Sequence, residues 1–465
     1  MIGGFERALV IGLGKSGRAS VRILRGLGAA VSATDEGEPG AMGPALQELR
    51  GLGATFVEPA KIDEILSELD AAVLSPGIPL NSPLVRRVQS ARVPVYSEIE
   101  LAYRLCKAPI IALTGTKGKT TTTALVGHIL RETGHHARVG GNIGNPLIEE
   151  AAVAEASDWV VAEVSSFQLE SIRSFKPKIS ALINISPDHL DRYFSMDEYA
   201  EAKFRIFANQ NAGDTFVGNL DDDRIGALAE GEGAARVKCR ALWYSREPHR
   251  NSTLYLRNDA KVVYAPPTGD PRPIDIMEVD EIPLLGRHNV DNVMAATLVA
   301  LSAGVEPRAI REAVLSFVAL PHRLTEVADI EGVRYVDDSK ATNPGSVIAA
   351  LRTFDEGHIV LIAGGKAKGT DFADFGKVAS SRTHGVVLIG TAAEEMANVI
   401  KRAKVVRADS MQAAVEAAAD MAKSGDVVLL SPGCASFDMF ESAEARGEAF
   451  VAAVKKLERG REAVR

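Results

Sequence analysis

The segment Thr114-Gly115-Thr116-Lys117-Gly118-Lys119-Thr120 lies directly between an apolar run, Ile110 to Leu113, and a helix-like stretch, Thr121 to Arg131. Buried strand, glycine-rich turn and helix in that order make a phosphate loop in an open α/β sheet. The glycines let backbone N–H groups face inward, and the helix N-terminus adds its dipole. Lys119 supplies charge for β- and γ-phosphates, and Thr120 supplies a hydroxyl for Mg²⁺. Position 113 is Leu rather than Gly, so the motif is a shortened variant of G-x-x-x-x-G-K-[ST]. Gly115, Thr116, Lys117, Gly118, Lys119, Thr120 and Thr121 are therefore the expected nucleotide-contacting residues.

A phosphate loop requires an acidic partner for its metal, usually at the end of a neighbouring strand. Glu163 closes the apolar run Trp159 to Ala162 and is the candidate, with a helix cap or a solvated strand end as the plainer reading. His189, in Pro187-Asp188-His189-Leu190-Asp191, follows the strand Ile179 to Ile183 and Asn184. It stands at a strand's C-terminal edge, where a structural and a functional imidazole are equally compatible with the pattern. Lys203, on a predicted helix from Asp197 to Phe207, reads by spacing as a surface lysine.

A second glycine turn, Gly12-x-Gly14-x-x-Gly17, follows the run Ala8 to Ile11, and Asp35 lies eighteen residues beyond Gly17. This is the dinucleotide fingerprint in spacing and context, and it indicates a nucleotide diphosphate more firmly than it indicates NAD. Strands Ala30 to Ala33 and Asp70 to Leu74 follow, the latter ending in Ser75-Pro76-Gly77-Ile78-Pro79. The alternation predicts a parallel sheet with ligands at its strand C-terminal ends. Between about 245 and 285 the pattern changes to hairpin chemistry around Asn258-Asp259, expected as a small antiparallel flap. A helix from Asn289 to about Ala303 and a hinge-like Leu320-Pro321-His322-Arg323 lead to a third segment with strands near Val333, Ile359, Gly385 and Val427. There the polar loops Asp337 to Pro344, Gly364 to Gly369 and Ser431 to Ser436 each follow an apolar strand, which suggests a small anionic substrate.

At roughly 150 residues per domain, 465 residues predict three domains. The boundaries are placed at 1–96, 97–319 and 320–465, all α/β: Rossmann-like, phosphate-loop ATPase-type with the flap, and Rossmann-like. A net charge of −8 argues against nucleic acid as a partner. Cys106, Cys239 and Cys434 lack disulfide or zinc spacing, and no apolar run is long enough to span a membrane. The opening residues are too short and glycine-rich an apolar segment for a signal peptide, so a cytoplasmic protein is expected.

Taken together, these residues resemble the Mur ligases of peptidoglycan synthesis, most closely the branch that adds D-glutamate to UDP-N-acetylmuramoyl-L-alanine. The resemblance covers essentially the whole chain. It rests on both glycine turns, Ser75-Pro76-Gly77, Gly141-Asn142-Ile143-Gly144, Glu163 to Leu169, Asp188 to Tyr193, His288-Asn289, Pro321-His322-Arg323, Asp338 to Asn343 and Leu430-Ser431-Pro432. It implies an ATP- and Mg²⁺-dependent carboxylate–amine ligase acting through an acyl phosphate, with a relative that adds L-glutamate or another amino acid as the alternative. By resemblance Lys119, His189 and Lys203 are catalytic, and Thr120, Glu163, His189 and a carbamylated Lys203 hold metal. Asn289, Asn292, Arg323 and Asp338 join the phosphate loop at ATP. Ser16, Asp35, Gly77 and Asn142 meet the UDP substrate, and Lys340, Thr342, Lys368 and Ser436 meet the amino acid. A monomer is expected. Lys117 stands where the family more often has Asn, and Ala443 where a pocket aromatic is often found. An NAD-dependent oxidoreductase would leave the phosphate loop idle, and a phosphate-loop switch protein would leave two α/β domains unexplained.

Overall fold

The computed structural model describes residues 5–37, 42–189, 192–267, 272–367, 369 and 371–462. Its strands form three sheets. The first holds β1 (Arg7–Ile11), β2 (Ala30–Thr34), β3 (Thr55–Phe56), β4 (Ala71–Leu74) and β5 (Val95–Ser97) in the order β3-β2-β1-β4-β5. All its pairings are parallel. This is the doubly wound order, and its switch point falls between β1 and β4. The turns after β1 and β4 emerge there, so the Gly12-to-Gly17 turn and the Ser75-Pro76-Gly77 turn meet at one edge. Gly17 is obligatory for packing, because a Cβ there would collide with the Gly12 carbonyl.

The central sheet contains β6 (Ile110–Thr114), β7 (Ala137–Gly141), β8 (Trp159–Glu163), β9 (Ile179–Leu182), β10 (Thr215–Asn219), β11 (Arg240–Ser245), β12 (Leu254–Arg257), β13 (Lys261–Tyr264) and β14 (Ile274–Glu278). Its order is β14-β13-β12-β11-β10-β9-β6-β8-β7. Every residue of β6 is buried, as a parallel strand covered on both faces requires. The expected antiparallel flap is present, as an extension of this sheet. β12 pairs in parallel with β11, and β13 and β14 then continue the same sheet in antiparallel fashion. The hairpin turn itself is as expected, with Asn258 and Asp259 both at positive φ.

The third sheet holds β15 (Thr325–Ile330), β16 (Val333–Asp337), β17 (Ile359–Gly364), β18 (Thr383–Ile389), β19 (Lys404–Arg407) and β20 (Val427–Gly433), ordered β15-β16-β20-β17-β18-β19. β15 is an antiparallel edge and the other pairings are parallel. β20 runs on through Ser431-Pro432-Gly433, which the sequence had suggested as loop. The chain groups into two compact units, one running to Glu281 and including Asp291–Phe317, the other comprising Ile282–Val290 and the residues from Val318.

Two carboxylates in the first turn of the helix Glu98–Leu105 are buried, which sequence reasoning did not foresee. Burial alone would raise Glu100, but the Ser174 hydroxyl, the N–H groups of Arg173 and Phe175 and the Arg104 guanidinium outweigh it and hold its carboxyl below the usual range. Glu98 accepts from Ile148 N at 2.7 Å, capping the helix Leu147–Val153, and burial pushes its carboxyl up to about 7. A carboxyl raised on folding stays protonated where the unfolded chain has ionised, so its contribution to stability falls as pH rises from the ordinary glutamate value to about 7. The Glu98→Gln variant lacks this titration. Its urea midpoint relative to the native chain is expected to climb between about pH 5 and about pH 8; a flat difference would contradict the burial argument.

Candidate functional site

The phosphate loop is built as the sequence predicts, and its helix begins earlier than expected, at Lys119. Gly118 is the N-cap at φ +79, a left-handed conformation, and its carbonyl accepts from both the N–H and the hydroxyl of Thr122. A Cβ on Gly118 would strike the Asn292 side-chain oxygen, which itself accepts from the Thr122 hydroxyl at 3.2 Å. Gly118→Ala is therefore expected to cost about 1–3 kcal/mol and to weaken ATP binding about tenfold. Thermal unfolding and the KM for ATP check this; unchanged values for both would contradict it.

Asn184, just past β9, buttresses the loop. Its side-chain oxygen accepts from Thr116 N at 3.1 Å and Lys117 N at 2.9 Å, while its amide nitrogen donates to the Lys117 carbonyl. The Thr116 hydroxyl is enclosed by Ser186 and the Tyr199 phenol. Thr120 is half-buried in the first helical turn and Thr121 is buried. Lys119 Nζ donates to the carbonyls of Gly115 and Thr116 at 2.9 and 3.0 Å, so its charge is folded over the loop.

Lys203 overturns its surface reading. It is 1% exposed, and its Nζ donates to the same Gly115 carbonyl at 2.8 Å. Spacing missed this because the helix Met196–Phe204 buries Tyr199, Ala200, Ala202, Lys203 and Phe204, a face too mixed to read as amphipathic. Burial, followed by the neighbouring Lys119 ammonium, drives the Lys203 amine well below the ordinary lysine value, although Asp188 and Glu163 pull the other way.

Glu163 is buried at the end of β8, in register with Leu113 of β6. One carboxylate oxygen accepts from the Asn142 amide at 2.8 Å; the other is buried without a hydrogen-bond partner. Asn142 N also donates to the Glu163 carbonyl. Asn142 thus orients Glu163. His189 sits at φ +55 with its ring edge-on to Phe167, centroids 4.8 Å apart, and Leu190 and Asp191 lie outside the described residues. Among the described residues no three His, Cys, Asp or Glu side chains converge as a metal site.

At the N-terminal turn, Asp35 accepts from Leu13 N and Gly37 N, fastening the end of β2 to the glycine turn. Ser16 is half-buried in the first turn of the helix Lys15–Gly26, and Gly77 is exposed beyond β4.

In the C-terminal unit β16, β20 and β17 are adjacent and parallel, so the three polar loops share one edge, as expected. Asp338 is buried, accepts from the Ser431 hydroxyl at 2.8 Å and is pushed up to about 7 by burial. Arg323 is half-buried and its charge partly opposes that rise. His322 Nδ1 lies 2.6 Å from an Asp337 oxygen. Lys340 is ion-paired with Glu444, Thr342 is half-buried and Ser436 is buried. Lys368 lies outside the described residues. Asn289 donates to the Leu285 carbonyl at 2.7 Å and belongs to this unit, whereas Asn292 belongs to the other.

Three family models match in order: the Mur ligase MurD-like N-terminal domain over residues 6–97, the Mur ligase middle domain over 113–300 and the Mur ligase glutamate ligase domain over 322–434. A protein of Koribacter versatilis named UDP-N-acetylmuramoylalanine--D-glutamate ligase is 41% identical over 97% of this chain and 98% of its own length. One of the same name from Trichlorobacter lovleyi is 42% identical over 97% and 99%. The chain belongs to the Mur ligase family. Solved Mur ligases share the fold at lower identity. MurF of Thermotoga maritima, in complex with ADP, has a TM-score of 0.62 at 16% identity, covering 97% of this chain and 98% of that one. MurC of the same organism has 0.59 at 20%, covering 97% and 99%.

Two residues of this Mur ligase escaped sequence reasoning. Asn184 was visible only as the residue after a buried strand. Arg446 is fully buried and donates to the Ser339 hydroxyl and carbonyl and to the Cys434 carbonyl, tying the loop after β16 to the loop after β20. Its partners lie 107 and 12 residues away, so no local pattern announces them. Among the described residues, no helix of this Mur ligase is long and apolar enough to cross a membrane.

Proposed function

We propose that this chain joins D-glutamate to UDP-N-acetylmuramoyl-L-alanine at the expense of ATP, making a cytoplasmic peptidoglycan precursor. The observation that carries the reading is a likeness of about 40% identity, over nearly the whole length of both chains, to ligases named for that reaction. Residues 1–96 hold the UDP substrate through Ser16, Asp35 and Gly77, joined by Asn142 of the central segment. Residues 97–319 hold ATP through the phosphate loop, Asn289 and Asn292, with Arg323 and Asp338 contributing from residues 320–465. The last segment also presents D-glutamate to Lys340, Thr342, Lys368 and Ser436. The enzyme acts as a monomer.

The phosphate-loop N–H groups and Lys119 offset charge on the phosphoryl group as it passes to the L-alanine carboxylate. The D-glutamate amine then attacks the acyl phosphate, forming the amide and releasing phosphate. The buried, unpartnered oxygen of Glu163 fits a cation; Thr120 and Glu163 would hold one Mg²⁺, and His189 and Lys203 a second. Bound Mg²⁺ supplies charge neutralisation at the phosphates. Lys203 suits the second position because its environment favours the neutral amine. That nitrogen can attack CO₂ and lose a proton, leaving an anionic carbamate in place of a cation. ATP labelled with ¹⁸O at the β–γ bridge tests the acyl phosphate. Scrambling that requires UDP-N-acetylmuramoyl-L-alanine but no amino acid supports it, and no scrambling would contradict it.

A further inference from the structure

A cleft remote from the phosphate loop in sequence carries chemistry that ligation does not use. Its volume is 430 Å³, and Arg92, Arg173, Gln89 and Ser171 bring polar groups to a wall that includes Val93 and Ile172. Among the described residues neither guanidinium is paired with a carboxylate. Arg173 lies over the Tyr96 ring instead, and the one acid in the lining, Glu170, is already engaged by Arg192 at 2.7 Å and the Tyr193 phenol at 2.6 Å.

The backbone at Arg92 supplies a second, independent observation. The helix Pro83–Ser90 ends in a Schellman turn, with Arg92 N donating to the Gln89 carbonyl and Val93 N to the Val88 carbonyl. Arg92 occupies the left-handed position at φ +63. The same turn ends the helices Lys15–Gly26, Gly43–Gly51, Lys119–Glu132 and Arg287–Ser302, and there the left-handed residue is Gly28, Gly53, Gly134 or Gly304. A residue with a Cβ is strained at such a site, so stability alone selects glycine. At this one turn the chain keeps an arginine, and its side chain lines the cleft beside a second arginine.

We propose that this cleft binds a small organic anion, its phosphate or carboxylate head held by the planar forks of Arg92 and Arg173 and its apolar body lying against Val93 and Ile172. None of its lining residues is among those proposed for ATP, the UDP substrate or the amino acid.

Phenyl phosphate is the probe, titrated by calorimetry into the full chain saturated with a non-hydrolysable ATP analogue, Mg²⁺ and UDP, so that the other anion sites are filled. Saturable binding is expected, tighter than for inorganic phosphate because of the apolar wall, and weakened about tenfold or more in Arg92→Gly and in Arg173→Ala. Benzoate in a parallel arm separates a carboxylate head from a phosphate one. Arg92→Gly is also expected to unfold at a higher temperature than the native chain in the absence of probe, by about 1–3 °C, since it removes the strained Cβ. Equal affinity in both variants, or no saturable binding, would overturn the site. A lower midpoint for Arg92→Gly would overturn the strain argument behind it.

Discussion

Replacing Lys119 by Ala is expected to lower kcat by on the order of 10³-fold while leaving the fold intact. The ammonium donates to the Gly115 and Thr116 carbonyls, and when the side chain is cut the Gly115 carbonyl still accepts from Lys203 Nζ. Thermal stability should therefore change by about 1 kcal/mol or less, and the loss should appear in kcat and kcat/KM together, as for an interaction that strengthens with phosphoryl transfer. Removing Lys119 also removes one cause of the depressed Lys203 pKa. Steady-state ADP release checks the first effect, and turnover within about tenfold of the native enzyme would contradict the assigned role.

Lys203→Ala is expected to cost on the order of 10² to 10³-fold in turnover, for a different reason. Its amine is 1% exposed, hydrogen-bonded to the Gly115 carbonyl and 4.6 Å from the Tyr199 ring centroid. A cation in that setting is costly, whereas a carbamate would supply an anionic ligand near Glu163. Native turnover should rise with added bicarbonate when the enzyme is first depleted of CO₂, and the variant should show no such response. Undiminished turnover in Lys203→Ala, with and without bicarbonate, would refute the carbamate role.

Much of this site was legible because parallel α/β folds put ligands at strand C-terminal edges, and apolar runs followed by glycine or polar residues mark those edges. Lys119, Thr120 and Glu163 could be named from that rule alone. The loops after β16, β17 and β20 follow the same rule, and their sharing one edge depended only on the strands being neighbours in one sheet. Lys203 was illegible to spacing because its burial arises from packing against the phosphate loop, 88 residues away, and only the family resemblance drew attention to it. Asn142 was assigned to substrate by resemblance, whereas the hydrogen bond its side-chain amide donates to Glu163 is a contact across 21 residues that no local pattern encodes. The buried carboxylates Glu98 and Glu100 were hidden for the same reason. Acidic residues in a first helical turn ordinarily serve the dipole at the surface, and here they accept backbone N–H groups from Ile148 and from Arg173 to Phe175. The antiparallel strands beyond β11 were recognised by their alternation, but alternation does not say whether a hairpin stands apart or extends an existing sheet.

The central claim is tested most directly by incubating the enzyme with ATP, Mg²⁺ and UDP-N-acetylmuramoyl-L-alanine, adding D-glutamate or L-glutamate in parallel, and measuring phosphate release and product mass. The account predicts turnover with D-glutamate alone and a product heavier by one glutamyl residue. Phosphate release that ignores the amino acid, or a product formed only with L-glutamate, would contradict it.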